Sequence, residues 1–193
     1  MACIDLPQLH KRTFLSVLSF SAEGGVVLPS TLIDDVESCD TLPDDGTFTN
    51  YERAFSFLQR VIGEDDASLE LPPGWHWFNP VIFFITDGWP TTNGKNRQPD
   101  EHWQRARNSL IDAHQPNIVA LGLGEAEEGT LVQVATTRNG QPLSFIDDHS
   151  SHTGGLINSI RTAILRSIQK SEERGIFDFP LPAGMRHVTE RSP

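Results

Sequence analysis

Asp87 is the residue of this chain best placed to do chemistry. It stands in Thr86-Asp87-Gly88-Trp89-Pro90-Thr91, directly after the unbroken apolar run Val81-Ile82-Phe83-Phe84-Ile85. Such a run, without alternation, reads as a strand buried on both faces, a central strand of a parallel sheet. Ligands of open α/β sheets bind at the carboxyl ends of the strands, so a carboxylate there is a candidate site residue rather than ordinary surface. Thr49 stands at the head of a helical pattern. Each has an ordinary reading beside the chemical one. Thr49-Asn50-Tyr51-Glu52 spells a capping box, and Asp-Gly followed by Trp-Pro is a turn signal.

Other constellations carry less. Asp44-Asp45, Glu125, Glu127-Glu128 and Asp147-Asp148 fall after strands or before helices and should gather on one rim with Asp87. They form either a cation-attracting face or acids placed by helix dipoles. His149-Ser150-Ser151-His152 has a metal-site spacing but no third ligand nearby. Trp75, Trp77 and Phe78 form an aromatic cluster that either binds a partner or covers a core edge. Gly122-Leu123-Gly124 is not a dinucleotide fingerprint, because position 127 is Glu127. A hydrolase that uses Asp87 for metal-assisted attack on a phosphate ester is the enzymatic alternative. It lacks a nucleophile elbow, a P-loop and a second aspartate two residues from Asp87.

These residues need elements to position them, and the chain alternates strand and helix patterns. Strands are expected at 13–21 and, shorter, at 25–29, with an acidic, turn-rich connection over 32–48. A helix follows at 50–62, where Ala54, Phe55, Phe57, Leu58, Val61 and Ile62 share a face and Gly63 is the expected stop. A loop over 64–79 leads into the 81–85 strand. Residues 101–115 read as a helix with Trp103, Ala106, Leu110 and Ala113 or His114 inward and Asp100 as N-cap. The pattern continues with a buried strand at 118–124, a short helix at 127–136 and a turn at Asn139-Gly140. It closes with a strand at 143–146 and a long helix over 153–174, with Leu156, Ile157, Ile160, Ile164, Leu165 and Ile168 inward. The expected architecture is α/β, a doubly wound, mostly parallel sheet with helices on both faces. Residues 1–174 make the domain and 175–193 a poorly ordered tail.

Composition narrows the partners. Fifteen Lys and Arg against 26 Asp and Glu give a net charge of −11 over 193 residues. That charge disfavours nucleic acid and anionic membrane surfaces and favours cations or protein. Cys3 and Cys39 share no motif spacing, which fits a reducing compartment. Lys11-Arg12 before the 14–20 apolar stretch imitates a signal peptide, but its β-forming residues and the following Gly24-Gly25 read better as a strand. A cytoplasmic location is the expectation.

Taken together, Thr49-Asn50-Tyr51, the apolar strand ending Thr86-Asp87-Gly88-Trp89-Pro90-Thr91, the 118–124 strand and the final helix resemble the von Willebrand factor A (VWA) domain. The likeness spans about residues 13–170 and is to the bacterial cytoplasmic type related to the tellurite-resistance protein TerY. The resemblance implies a Rossmann-like fold and a metal-ion-dependent adhesion site for Mg²⁺ or Mn²⁺, to which Thr49 would give its hydroxyl and Asp87 its carboxylate. It further implies a non-enzymatic module that binds a protein partner, whose acidic side chain completes the metal, in a stress or tellurite-resistance-like system. One departure weakens the metal. The family's first strand, a central one ending D-x-S-x-S, has no counterpart here. Asp45-Gly46-Thr47-Phe48-Thr49 is the nearest pattern, and it follows no buried strand. The expectation is therefore an incomplete module with exposed strand edges and weak or absent metal binding. A metal-independent interaction protein is the remaining alternative.

Overall fold

Alternating strand-forming and helix-forming stretches produce a mixed α/β fold, described by a computed structural model for residues 13–38, 48–68, 78–92, 96–148, 153–174 and 177–189. The stretch with the signal-like pattern is a strand, Phe14–Phe20 (β1), paired antiparallel with Gly24–Leu32 (β2). β2 runs past Pro29, which a strand tolerates where that residue's missing N–H faces no partner. A 3₁₀ turn at Ile33–Asp35 follows.

The first long helix, Tyr51–Ser68 (α1), continues through Gly63 rather than stopping there. A glycine inside a helix costs about 1 kcal/mol but ends it only when the chain leaves helical geometry. Arg60 and Glu64 face each other 3.6 Å apart one turn along, across that glycine.

Val81–Thr86 (β3), Asn117–Gly122 (β4) and Ser144–Asp147 (β7) are parallel neighbours, and Met185–His187 (β8) joins β7 antiparallel. Between them lie the helices Asp100–His114 (α2), Glu128–Val134 (α3) and Thr153–Arg174 (α4). A two-residue hairpin joins Thr137–Arg138 (β5) to Gln141–Pro142 (β6). It turns at Asn139 (φ 50°) and Gly140 (φ 76°), the positive-φ pair that suits the twist of a hairpin.

The alternation of β4 divides the core in two. Ile118 and Ala120 pack with Tyr51, Phe55, Phe84, Trp103 and Leu110 under α1 and α2. Val119 and Leu121 pack on the opposite face with Phe145, Leu156, Ile160 and Ala163 under α4. Each face of the sheet therefore carries helices. No helix among the described residues is long and apolar enough to cross a membrane.

Four expectations are corrected. Among the described residues β3 is an edge strand, not a central one: the sheet order is β3-β4-β7-β8, the β1–β2 hairpin is a separate sheet, and Val81 and Ile85 are 37% and 41% exposed. Its composition reads as doubly buried because it is apolar throughout, but composition does not reveal a missing neighbour. The segment read as a tail supplies β8, and Phe177, Phe179, Met185 and Val188 are buried. Its apolar residues are too widely spaced to show a period. Asp100 is the first helical residue of α2 after an N-cap at Pro99, and its carboxylate accepts from Trp103 Nε1 at 3.3 Å. Ile157 is exposed, because the inward stripe of α4 runs through Leu156, Ile160 and Ala163.

Candidate functional site

The parallel pairing of Thr86 with Gly122 and of Gly122 with Ile146 aligns the carboxyl ends of β3, β4 and β7 on one rim. Asp87 leaves that rim directly from β3 and is exposed. Its loop is anchored from beneath. The Tyr51 hydroxyl lies 3.0 Å from the Gly88 carbonyl oxygen and 3.1 Å from Thr86 Oγ1. Burial holds the Tyr51 phenol neutral well beyond its ordinary range; the Thr86 hydrogen bond partly opposes this, and the negative Asp87 adds to it.

Thr49 is tied to the same loop. Its N–H donates to Thr91 Oγ1 at 2.9 Å and its carbonyl accepts the Thr91 N–H at 2.8 Å. A Cβ on Gly88 would sit 3.7 Å from Thr49 Oγ1, so the hydroxyl stands beside the residue that follows Asp87. The capping role expected of Thr49 belongs to Asn50, whose Oδ1 accepts the Arg53 N–H at 3.0 Å. Gln98, 1% exposed, completes that helix start. Its Oε1 accepts from the Tyr51 and Glu52 amides at 3.1 and 3.3 Å, and its Nε2 donates to Asn50 Oδ1 and Glu52 Oε2 at 3.0 and 3.2 Å. The amides at the start of α1 are thus satisfied without Thr49. Among the described residues neither the Thr49 hydroxyl nor the Asp87 carboxylate has a hydrogen-bond or ion-pair partner. Two uncommitted oxygen donors therefore lie in one loop cluster.

Two of the other acids are committed to arginines. Glu127 pairs with Arg97 at 2.7 Å and accepts from Thr130 Oγ1 at 2.6 Å, and the Arg97 guanidinium holds its carboxyl below the usual range. Glu128 is engaged by Arg186. Glu125 and Asp148 are exposed on loops after β4 and β7. Asp44, Asp45, His149, His152, Trp75, Trp77, Cys3 and Cys39 lie outside the described residues. Phe78, 83% exposed, covers no core edge. Among the described residues no group of three His, Cys, Asp or Glu side chains could hold a metal ion. Thr49 and Asp87 are hard oxygen donors of the right kind for Mg²⁺ or Mn²⁺. Two of them do not make the near-ideal octahedral cage Mg²⁺ demands, so the residues present do not fit a tightly held ion.

Sequence reading brought Thr49 and Asp87 forward but missed Tyr51 and Gln98. Tyr51 was legible in principle as an aromatic beside Thr49-Asn50. Gln98 lies in a polar loop with no period, and only tertiary packing gives it a role. No protein-family model matches this chain, and no curated protein matches it.

Proposed function

We propose that this chain is a non-enzymatic, protein-binding module of the VWA type, with a doubly wound Rossmann-like architecture that lacks one central strand. Its binding rim centres on Thr49 and Asp87. The observation that carries this reading is their convergence: a threonine before a helix and an aspartate after a strand, 38 positions apart in the sequence, bonded into one loop cluster with both side-chain oxygens uncommitted. Helices on both faces of a mostly parallel sheet support the architecture.

In the complete family site a divalent ion bridges the domain to an acidic side chain of the partner. Here Thr49 and Asp87 would contribute two oxygens, and water would fill most of the shell. The setting implied by the resemblance is a cytoplasmic bacterial stress or tellurite-resistance-like system. Calorimetric titration with Mg²⁺ and Mn²⁺ tests the reading. The expected result is no saturable binding below millimolar metal. A tight isotherm abolished by Asp87→Ala would mean that the site is complete after all.

A further inference from the structure

Gln98 has its backbone in the loop of Asp87 and its side chain in the segment of Thr49. Beyond β3 the chain folds back on itself: Thr91 bridges Arg97, the Thr92 N–H donates to the Asn96 carbonyl at 2.9 Å, and the Gln98 N–H donates to the Pro90 carbonyl at 2.8 Å. Pro90, three residues past Asp87, is itself fully buried. The Gln98 main chain is thereby fixed to the loop that carries the carboxylate. Its carboxamide reaches into the start of α1 and bonds Asn50, Tyr51 and Glu52.

Those bonds close a ring between the two segments. Gln98 Oε1 accepts the Tyr51 N–H, the Tyr51 hydroxyl lies 3.0 Å from the Gly88 carbonyl oxygen, and two residues further on the Pro90 carbonyl accepts the Gln98 N–H. Only an amide satisfies position 98. Oε1 faces two N–H donors, and Nε2 faces two acceptors, Asn50 Oδ1 and Glu52 Oε2. A carboxylate there would set oxygen against oxygen. A thioether of the same length would leave the Tyr51 and Glu52 amides without that acceptor, and a buried donor deprived of its partner is costly. Asn50 Oδ1 also accepts the Arg53 N–H, so the cap next to Thr49 depends on the same carboxamide.

We infer that Gln98 is the positioning residue of the binding rim: it holds the Thr49 segment against the Asp87 loop, so that a ligand meets both oxygens together. The inference rests on the reading of Thr49 and Asp87 as the rim. Its effect is local. The sheet and the body of α1 are held by the core around Phe55, Phe84 and Trp103, and that core does not include Gln98. The reciprocal pair of Thr49 and Thr91 joins the two segments beside the ring and is the first contact to open when the carboxamide is lost.

Hydrogen exchange on the full chain, read amide by amide, tests it in Gln98→Met and Gln98→Glu. Exchange at the Thr49 and Thr91 amides should quicken roughly tenfold more than at Ala120, a buried sheet amide that follows global stability. A residue that only stabilised the fold would quicken all three alike, and that result would overturn the inference. Should neither variant fold, the wild-type chain decides: in rising urea below the unfolding transition, the Thr49, Thr91 and Gln98 Nε2 protons should open as one unit, and independent opening would overturn it. Millimolar Mn²⁺ then reads the consequence for binding. The folded variant should keep signal broadening at Gly88 and lose it at Thr49, whereas broadening retained at both contradicts the positioning role. If wild-type Thr49 and Gly88 are both unaffected by Mn²⁺, the rim reading fails, and the exchange rates alone decide whether Gln98 braces the two segments.

Discussion

At the scale of the residue, Tyr51 organises the rim without standing on it. Its ring packs edge-on against Phe84, Phe55 and Trp103, and its hydroxyl reaches the Gly88 carbonyl immediately behind Asp87. Because it is the only tyrosine, alkaline absorbance titration reports on this group alone. Its phenol keeps its proton in the fold above the ordinary value near pH 10, so the unfolded chain loses that proton first. Stability is then fully present below about pH 10 and falls as pH rises beyond it. The titration should show no ionisation near pH 10 in the folded protein, and tyrosinate should appear together with unfolding. Ionisation at pH 10 with the fold intact would mean that the hydroxyl is accessible.

At the scale of the element, the four described helices and β1, β2, β3, β4 and β7 fall on stretches whose apolar pattern points to them, while β5, β6 and β8 were not expected as strands. The 153–174 helix and the Asn139-Gly140 turn stand where their patterns put them. Element ends were less legible, since they depend on what the next turn touches. Gly63 shows this well: a Cβ there would meet nothing within 4 Å, and the helix passes through it. Gly63→Ala should therefore raise stability by about 0.5 to 1 kcal/mol, read from the urea midpoint at constant slope. A loss of stability would indicate a packing contact that the helix does not display. β8 was invisible for a different reason. Its three residues pair with β7 through backbone groups, and only the folded sheet reveals why Met185 and Val188 are buried.

At the scale of the whole molecule, two features coexist. One is a rim where two oxygens, Thr49 Oγ1 and the Asp87 carboxylate, are left uncommitted in a chain of net charge −11. The other is the separation, among the described residues, of the β1–β2 hairpin from the four-stranded sheet. The rim residues were legible because the chemistry of Thr and Asp is local to short motifs. That β3 would be an edge among the described residues was not legible from its own composition, because an apolar run looks the same whether or not a neighbour covers it. Paramagnetic relaxation by Mn²⁺ tests the rim most directly, since it locates a cation however weakly it is held. With millimolar Mn²⁺ the amide signals of Thr49, Gly88 and Gly124 should broaden first, and Asp87→Ala should remove the effect. Broadening centred on the Glu127 or Asp148 loops instead, unchanged by Asp87→Ala, would contradict the account.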